Sequence, residues 1–251
     1  METLIYIILA TVLVSLISFS GALTLLLKPK LLDKILLILV AFSAGVLIGT
    51  AFFNLLPEVL ESAHTKTQTL FTFFFLTLGF STFFFLEQIL RWHHHHSTEH
   101  PEVLPLSYFI LISDALHNFI DGIVIAVAFS VSLSLGVITT LAIALHEIPQ
   151  EIGDFAVLVY GGLKKTKALF LNSASALVAV LGGIVGFLFS ESLAGFGAFI
   201  LPFAAGNFIY IAASDLIPEI KQDLNLKKSF YHFTAFLGGL FLMLLFKILA
   251  I

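Results

Sequence analysis

The chain contains no cysteine, which excludes disulfides, thiolate-ligated zinc and thiol chemistry. Any metal site must therefore be built from His, Asp, Glu, Asn or Gln. Charge is almost as scarce: Asp, Glu, Lys and Arg together make 11% of the chain, against about a quarter in soluble domains. With 59% hydrophobic residues, the solvent for most of this surface is lipid. No basic patch or stripe supplies the electrostatic footprint of a nucleic-acid binder. The formal net charge of −4 decides little, because in a membrane protein the position of charge outweighs its total.

What is present is a succession of apolar runs. At about 20 residues per span, a chain of 251 residues accommodates seven or eight helices and leaves nothing over for a soluble domain. Runs bounded by polar residues, Pro or Lys fall at 4–27, 35–57, 69–91, 106–131, 134–160, 168–190, 196–218 and 230–250. The expectation is one transmembrane domain over 1–251, an all-α polytopic membrane protein of eight spans. The first run is longer than a signal-peptide core and no basic segment precedes it, so it reads as a retained helix. Spans 4 and 5 are joined so tightly at Ser132-Leu133-Ser134 that they form an antiparallel hairpin.

Basic residues set the orientation. Lys28, Lys30 and Lys34 lie between spans 1 and 2, and Arg91 opens the 3–4 connection. Lys164, Lys165 and Lys167 fill the 5–6 connection, and Lys221, Lys227 and Lys228 the 7–8 connection. Only Lys66 and Lys247 stand on the other side, so both termini are expected outside the cytoplasm. A repeat overlies this pattern: AGVLIGTAFFNLLPE (Ala44 to Glu58) aligns without gaps on AGNFIYIAASDLIPE (Ala205 to Glu219). Span 2 would run outward and span 7 inward, so the copies are inverted. That places spans 1–3 and 6–8 as inverted repeats around a central helix 4/5 hairpin, a transporter signature.

The fourth span carries Asp114, His117, Asn118 and Asp121 at i, i+3, i+4 and i+7, one helical face over two turns. A stripe of this kind against lipid would cost several kcal/mol, so it must face protein, water or an ion. The fifth span carries His146-Glu147-Ile148-Pro149-Gln150-Glu151-Ile152-Gly153-Asp154. His146, Gln150 and Asp154 share a stripe, and Glu147, Glu151 and Asp154 a neighbouring one. Pro149 removes one backbone hydrogen bond and frees a carbonyl. On antiparallel neighbours the two polar faces can converge at one depth. Imidazole with carboxylate and carboxamide suits zinc, iron(II), manganese or cadmium, and the mixture fits exchangeable binding, since conduction requires release as well as entry.

At these motifs, HNFxDG at His117 to Gly122 and HEIPQEIGD at His146 to Asp154, the chain resembles the ZIP (Zrt/Irt-like) family of divalent metal transporters. The resemblance implies eight spans with external termini and transport of zinc, in some members iron, manganese or cadmium, into the cytoplasm through a two-metal centre between spans 4 and 5. Carried over, His117, Asp121, His146 and Gln150 form one metal position. Asn118, Asp121, Glu147 and Gln150 form its neighbour, with Asp121 bridging. Gln150 departs from the pattern of nearer relatives, which have a second His there, and Glu151 is a further ligand that could take its share. Span 6 has no acidic residue in its interior, and Asn172 and Ser175 are its nearest polar candidates. Asp114, Asp154 and Asn172 are secondary candidates.

His93, His94, His95, His96 and His100 lie with Glu99 and Glu102 in a connection over 92–105, a composition that binds metal as a flexible tract. Glu58, Glu61 and His64 end span 2 and could attract cations. The dense phenylalanines between Phe71 and Phe85 read as a lipid-facing or packing surface. The expected partners are divalent metal ions and the lipid bilayer, with a homodimer as the assembly considered and the cell membrane as the location; no organic cofactor and no enzymatic activity is expected. The alternative is an intramembrane zinc-dependent hydrolase, because His146-Glu147 begins an HExxH motif. Gln150 stands where its second His belongs, and Pro149 interrupts the regular helix it needs.

Overall fold

A computed structural model of the chain describes residues 2–25, 29–95, 103–160, 162–192, 195–221 and 226–250. Every regular element among them is helical, and eight helices are long and apolar enough to cross a membrane. Span 1 is α-helical over Glu2–Leu16 and continues as a 3-10 helix over Ile17–Leu25. Span 3 runs Lys66–His95, carrying helix into the first residues of the expected histidine loop. The remainder of that loop, and the side chains of His93 to His96, lie outside the described residues. Spans 4 and 5 run Val103–Val131 and Leu133–Tyr160. Span 6 is broken at Leu177 into Lys165–Ala176 and Val178–Ser192, and span 8 runs Leu226–Ala250.

The 4/5 hairpin turns on one residue. The Ser132 amide still donates to the Ala128 carbonyl, closing span 4, while its hydroxyl accepts from the Leu135 amide at 3.1 Å. That is an N-cap on the first turn of span 5, so the same serine ends one helix and starts the next.

The repeat found in sequence is a repeat in structure. Span 2 is α-helical over Pro29–Gly49, widens to a π-helix over Thr50–Leu55 and resumes over Leu56–Glu61. Span 7 does the same: α over Phe196–Ile211, π over Ala212–Leu216, α over Ile217–Lys221. Each π turn sits just before the Pro of the shared Leu-Pro or Ile-Pro step. There an α-helix would drive the proline ring into the carbonyl four residues back, and the wider turn relieves that clash. Both copies also cross a partner on glycine. A Cβ at Gly45 would lie 1.9 Å from the Phe236 carbonyl oxygen, and one at Gly239 would lie 2.1 Å from that of Phe42. In the other copy Gly206 meets the Leu76 oxygen and Gly79 the Phe203 oxygen, both at 2.0 Å. Gly45 aligns on Gly206 and Phe42 on Phe203, so the packing of span 2 on span 8 reproduces that of span 7 on span 3. Small residues at a crossing let helices gain van der Waals contact that lipid does not supply.

Spans 3 and 8 are the most lipid-exposed, whereas spans 2, 4, 5 and 7 are more than half buried. Phe71, Phe73, Phe74, Phe80, Phe84 and Phe85 are exposed, and Phe75 turns inward, edge-on to Phe199 at 4.8 Å. The interior is thus lined by the hairpin and the two π-bearing spans.

Candidate metal centre

In span 4, Asp114, His117, Asn118 and Asp121 are all buried, while Leu116 between them is half exposed. The helical stripe therefore faces inward as its spacing requires. In span 5, His146, Glu147 and Glu151 are buried, and Gln150 and Asp154 are partly buried. Four carboxyl groups are enclosed here, and no lysine or arginine is buried among the described residues. Uncompensated carboxylates in a low-dielectric interior are too costly to persist, so the arrangement calls for cations or protons from outside the chain.

The first group comprises His117, Asp121, His146 and Glu147. The two imidazole Nε2 atoms face each other at 3.2 Å. Asp121 Oδ2 lies 3.4 Å from His117 Nε2 and 3.3 Å from His146 Nε2. Glu147 Oε1 lies 3.4 Å and 3.5 Å from the same two atoms. A tetrahedral zinc with bonds of ~2.0–2.1 Å has ligand-to-ligand edges of about 3.3–3.4 Å, so these five separations are those of a ligand shell. Both oxygens of Asp121 and Oε1 of Glu147 lack a hydrogen-bond partner. His146 Nδ1 sits 3.2 Å from the Ala142 carbonyl, which can only accept. This bond fixes the proton on Nδ1 and turns the Nε2 lone pair toward the group.

Span 5 stays helical through Pro149 because a neighbour satisfies the group that proline releases. The Leu145 carbonyl, which would have accepted from residue 149, takes a hydrogen bond of 2.7 Å from the Ser43 hydroxyl of span 2. One residue before the proline, the Ile148 carbonyl takes the Ser20 hydroxyl of span 1 at 3.5 Å. Two surrounding spans thus hold the segment that carries His146, Glu147 and Glu151.

The second group comprises Asp114, Glu147 and Glu151. Asn118 Nδ2 donates to Asp114 Oδ1 at 3.0 Å, and Gln150 Nε2 approaches the same oxygen at 3.5 Å. Ser175 Oγ donates to Asp114 Oδ2 at 2.5 Å. Asn172 Nδ2 donates to the Glu151 carboxylate and, at 3.4 Å, to its backbone carbonyl. The residue common to both groups is Glu147; Asp121 is packed between the two imidazoles, and the second group forms one turn away from it. Asp154 belongs to neither group among the described residues. Span 6 contributes through Asn172 and Ser175, whose part the sequence left open.

Elsewhere, Lys247 Nζ lies 3.9 Å from Glu58 and 3.7 Å from Glu61, so the acidic end of span 2 already has a cation. The sequence reading passed over Asn54 and Asn207, wholly buried in spans 2 and 7, each with an unpartnered amide oxygen. Their signal was available as polar side chains inside the apolar repeat segments.

Fold and cluster together define an integral membrane protein with a buried histidine–carboxylate centre. The family model described as ZIP Zinc transporter matches residues 1–108 and 93–247, and the chain belongs to that family. Zinc transporter zipt-7.2 of Caenorhabditis elegans is 39% identical over 147 residues, 57% of this chain and 32% of that protein. Human Zinc transporter SLC39A7 is 38% identical over 148 residues, 55% of this chain and 31% of the relative. Zinc transporter ZIP13 of Pongo abelii is 31% identical over 223 residues, covering 84% of this chain and 66% of the relative. The matched region thus spans about a third of the length of the first two curated relatives. The family is one of transporters rather than enzymes, and these relatives carry transporter names.

Proposed function

We propose that the chain carries zinc across the membrane into the cytoplasm through a two-metal site between spans 4 and 5. The observation that carries this reading is the set of Nε2 and carboxylate atoms from His117, Asp121, His146 and Glu147 at tetrahedral separations. Asn118, Gln150 and Glu151 complete the pair of positions, with Asp114, Asp154 and Asn172 around them. Zinc relatives support zinc as the principal ion; the same donors accept iron(II), manganese or cadmium. The excess of lysine and arginine in four connections supports external termini, and import is what the resemblance to the family implies. The cell membrane and a homodimer belong to this reading as expectations from the sequence.

In liposomes containing the purified chain, zinc accumulates, and His117→Ala or Asp121→Ala abolishes accumulation. Liposomes that take up no divalent metal but cleave a peptide or lipid amide in a zinc-dependent way would replace transport with the hydrolase.

A further inference from the structure

We propose that Ser15 of span 1 is a positioning residue of the metal centre. Its hydroxyl caps the carbonyl freed by the break in span 6, and so sets the half of that span from which Asn172 and Ser175 hold Glu151 and Asp114. This role deepens the transport reading and rests on it.

The break has a local signature. The Val180 amide donates to the Leu177 carbonyl at 3.1 Å, a 3-10 bond, where an unbroken α-helix would send it to the Ala176 carbonyl. Residues 173–181 contain neither proline nor glycine, so nothing within span 6 compels that exchange. Ala176 is only 1% exposed, and its carbonyl needs a partner from the protein. Ser15, also buried, supplies the donor at 2.8 Å, while its oxygen stays 2.9 Å from the Thr11 carbonyl of its own helix. An acceptor that the bilayer interior would not tolerate unpaired is thereby satisfied, and the break persists.

The two halves of span 6 have different anchors. Val178–Ser192 is fixed on span 4: a Cβ at Gly122 would meet the Ala179 carbonyl oxygen, and one at Gly182 that of Phe119, each at 2.0 Å. Lys165–Ala176 instead holds the ligands, with Asn172 on the Glu151 carboxylate and Ser175 on Asp114. Replacing α by 3-10 bonding changes the rotation between the halves by about 20° per residue. The acceptor chosen by the Val180 amide therefore decides how the ligand-holding face is turned. Span 1 grips the same half again where the Ser18 hydroxyl donates to Ser173 Oγ at 3.0 Å. It also lies against span 5: a Cβ at Gly21 would come within 3.2 Å of the Glu151 carbonyl oxygen. Thr11, Ser15 and Ser18 stand at i, i+4 and i+7, one polar face of an otherwise apolar helix. Both acceptors of Ser15 are backbone carbonyls, so it acts on the ligands only through span 6.

The test is zinc uptake by the full chain in proteoliposomes, measured against zinc concentration. Ser15→Ala lets the Val180 amide return to Ala176 and straightens span 6. The apparent KM then rises about three- to tenfold, the factor carried by one hydrogen bond, and the maximal rate per folded protein changes less. Ser15→Thr keeps the donor and with it the wild-type KM. A residue that only stabilised the fold would lower the amount of active protein, and so the maximal rate, with KM unchanged. Because the chain lacks cysteine, nitroxide labels at Phe170→Cys and Leu188→Cys, both exposed and on opposite sides of the break, report the shape of span 6 by pulsed electron paramagnetic resonance. Their separation shifts in Ser15→Ala and keeps its wild-type value in Ser15→Thr. An unchanged KM in Ser15→Ala, or an unchanged label separation, would overturn the role of Ser15 while leaving the transport reading standing. Wild type that takes up no zinc would overturn both.

Discussion

Ser43→Ala tests how span 5 tolerates a proline beside its metal ligands. In an unbroken α-helix the amide of residue 149 would bond to the Leu145 carbonyl. Pro149 has no amide hydrogen, and the Ser43 hydroxyl fills the place at 2.7 Å, in a residue only 1% exposed. Removing that hydroxyl strands a buried acceptor. Such a loss costs about 1–3 kcal/mol in soluble cores, and interhelical hydrogen bonds in membranes average ~0.6 kcal/mol with a maximum near 1.7. The expected destabilisation is thus about 1–1.5 kcal/mol, close to a factor of ten in the unfolding equilibrium. Reversible unfolding in mixed micelles measures it, and a double-mutant cycle isolates it. Pro149→Ala restores the amide and returns the Leu145 carbonyl to an in-helix partner, so Ser43→Ala in that background should cost no more than a few tenths of a kcal/mol. An equal cost in both backgrounds, or no cost in the wild-type background, would show that the Ser43 hydroxyl does not replace the missing amide of residue 149.

Gly45→Ala places a methyl 1.9 Å from the Phe236 carbonyl and forces spans 2 and 8 apart; we expect a loss of about 2–3 kcal/mol in the same unfolding assay, and the same from Gly206→Ala at the equivalent crossing. Gln150→His puts an imidazole in place of the carboxamide whose Nε2 lies 3.5 Å from Asp114 Oδ1; the apparent KM for zinc uptake should fall severalfold and the maximal rate should fall with it, because stronger donors slow release. Deleting His93 to His96 should shift the affinity or regulation of uptake more than its maximal rate, and uptake stopped outright by that deletion would put the tract in the path of the ion.

Span number, the 4/5 hairpin and the inverted repeat were legible in sequence because lipid imposes long apolar runs and because Ala44 to Glu58 and Ala205 to Glu219 share their small and Pro-Glu positions. The inward stripe of span 4 was legible for a similar reason: four polar residues at helical spacing have one way to avoid lipid. What periodicity does not encode is which neighbour completes a group. That Glu147 is the residue common to the two clusters depends on the rotation and depth of span 5 against span 4, which packing sets. Ser43 and Ser20 carry no motif, and their pairing with Leu145 and Ile148 exists only once spans 1 and 2 are in place. Asn172 and Ser175 were visible as the polar residues of span 6, but the break at Leu177 that accompanies them has no proline or glycine to announce it.

Two imidazoles and two carboxylates from spans 4 and 5 are expected to converge on one zinc ion. X-ray absorption at the zinc edge, on protein loaded with one equivalent, tests it most directly. The expected spectrum has about four N and O ligands at ~2.0–2.1 Å with the outer-shell scattering of two imidazoles, reduced to one in His146→Ala. A shell of oxygen ligands alone, or a spectrum unchanged by His146→Ala, would contradict it.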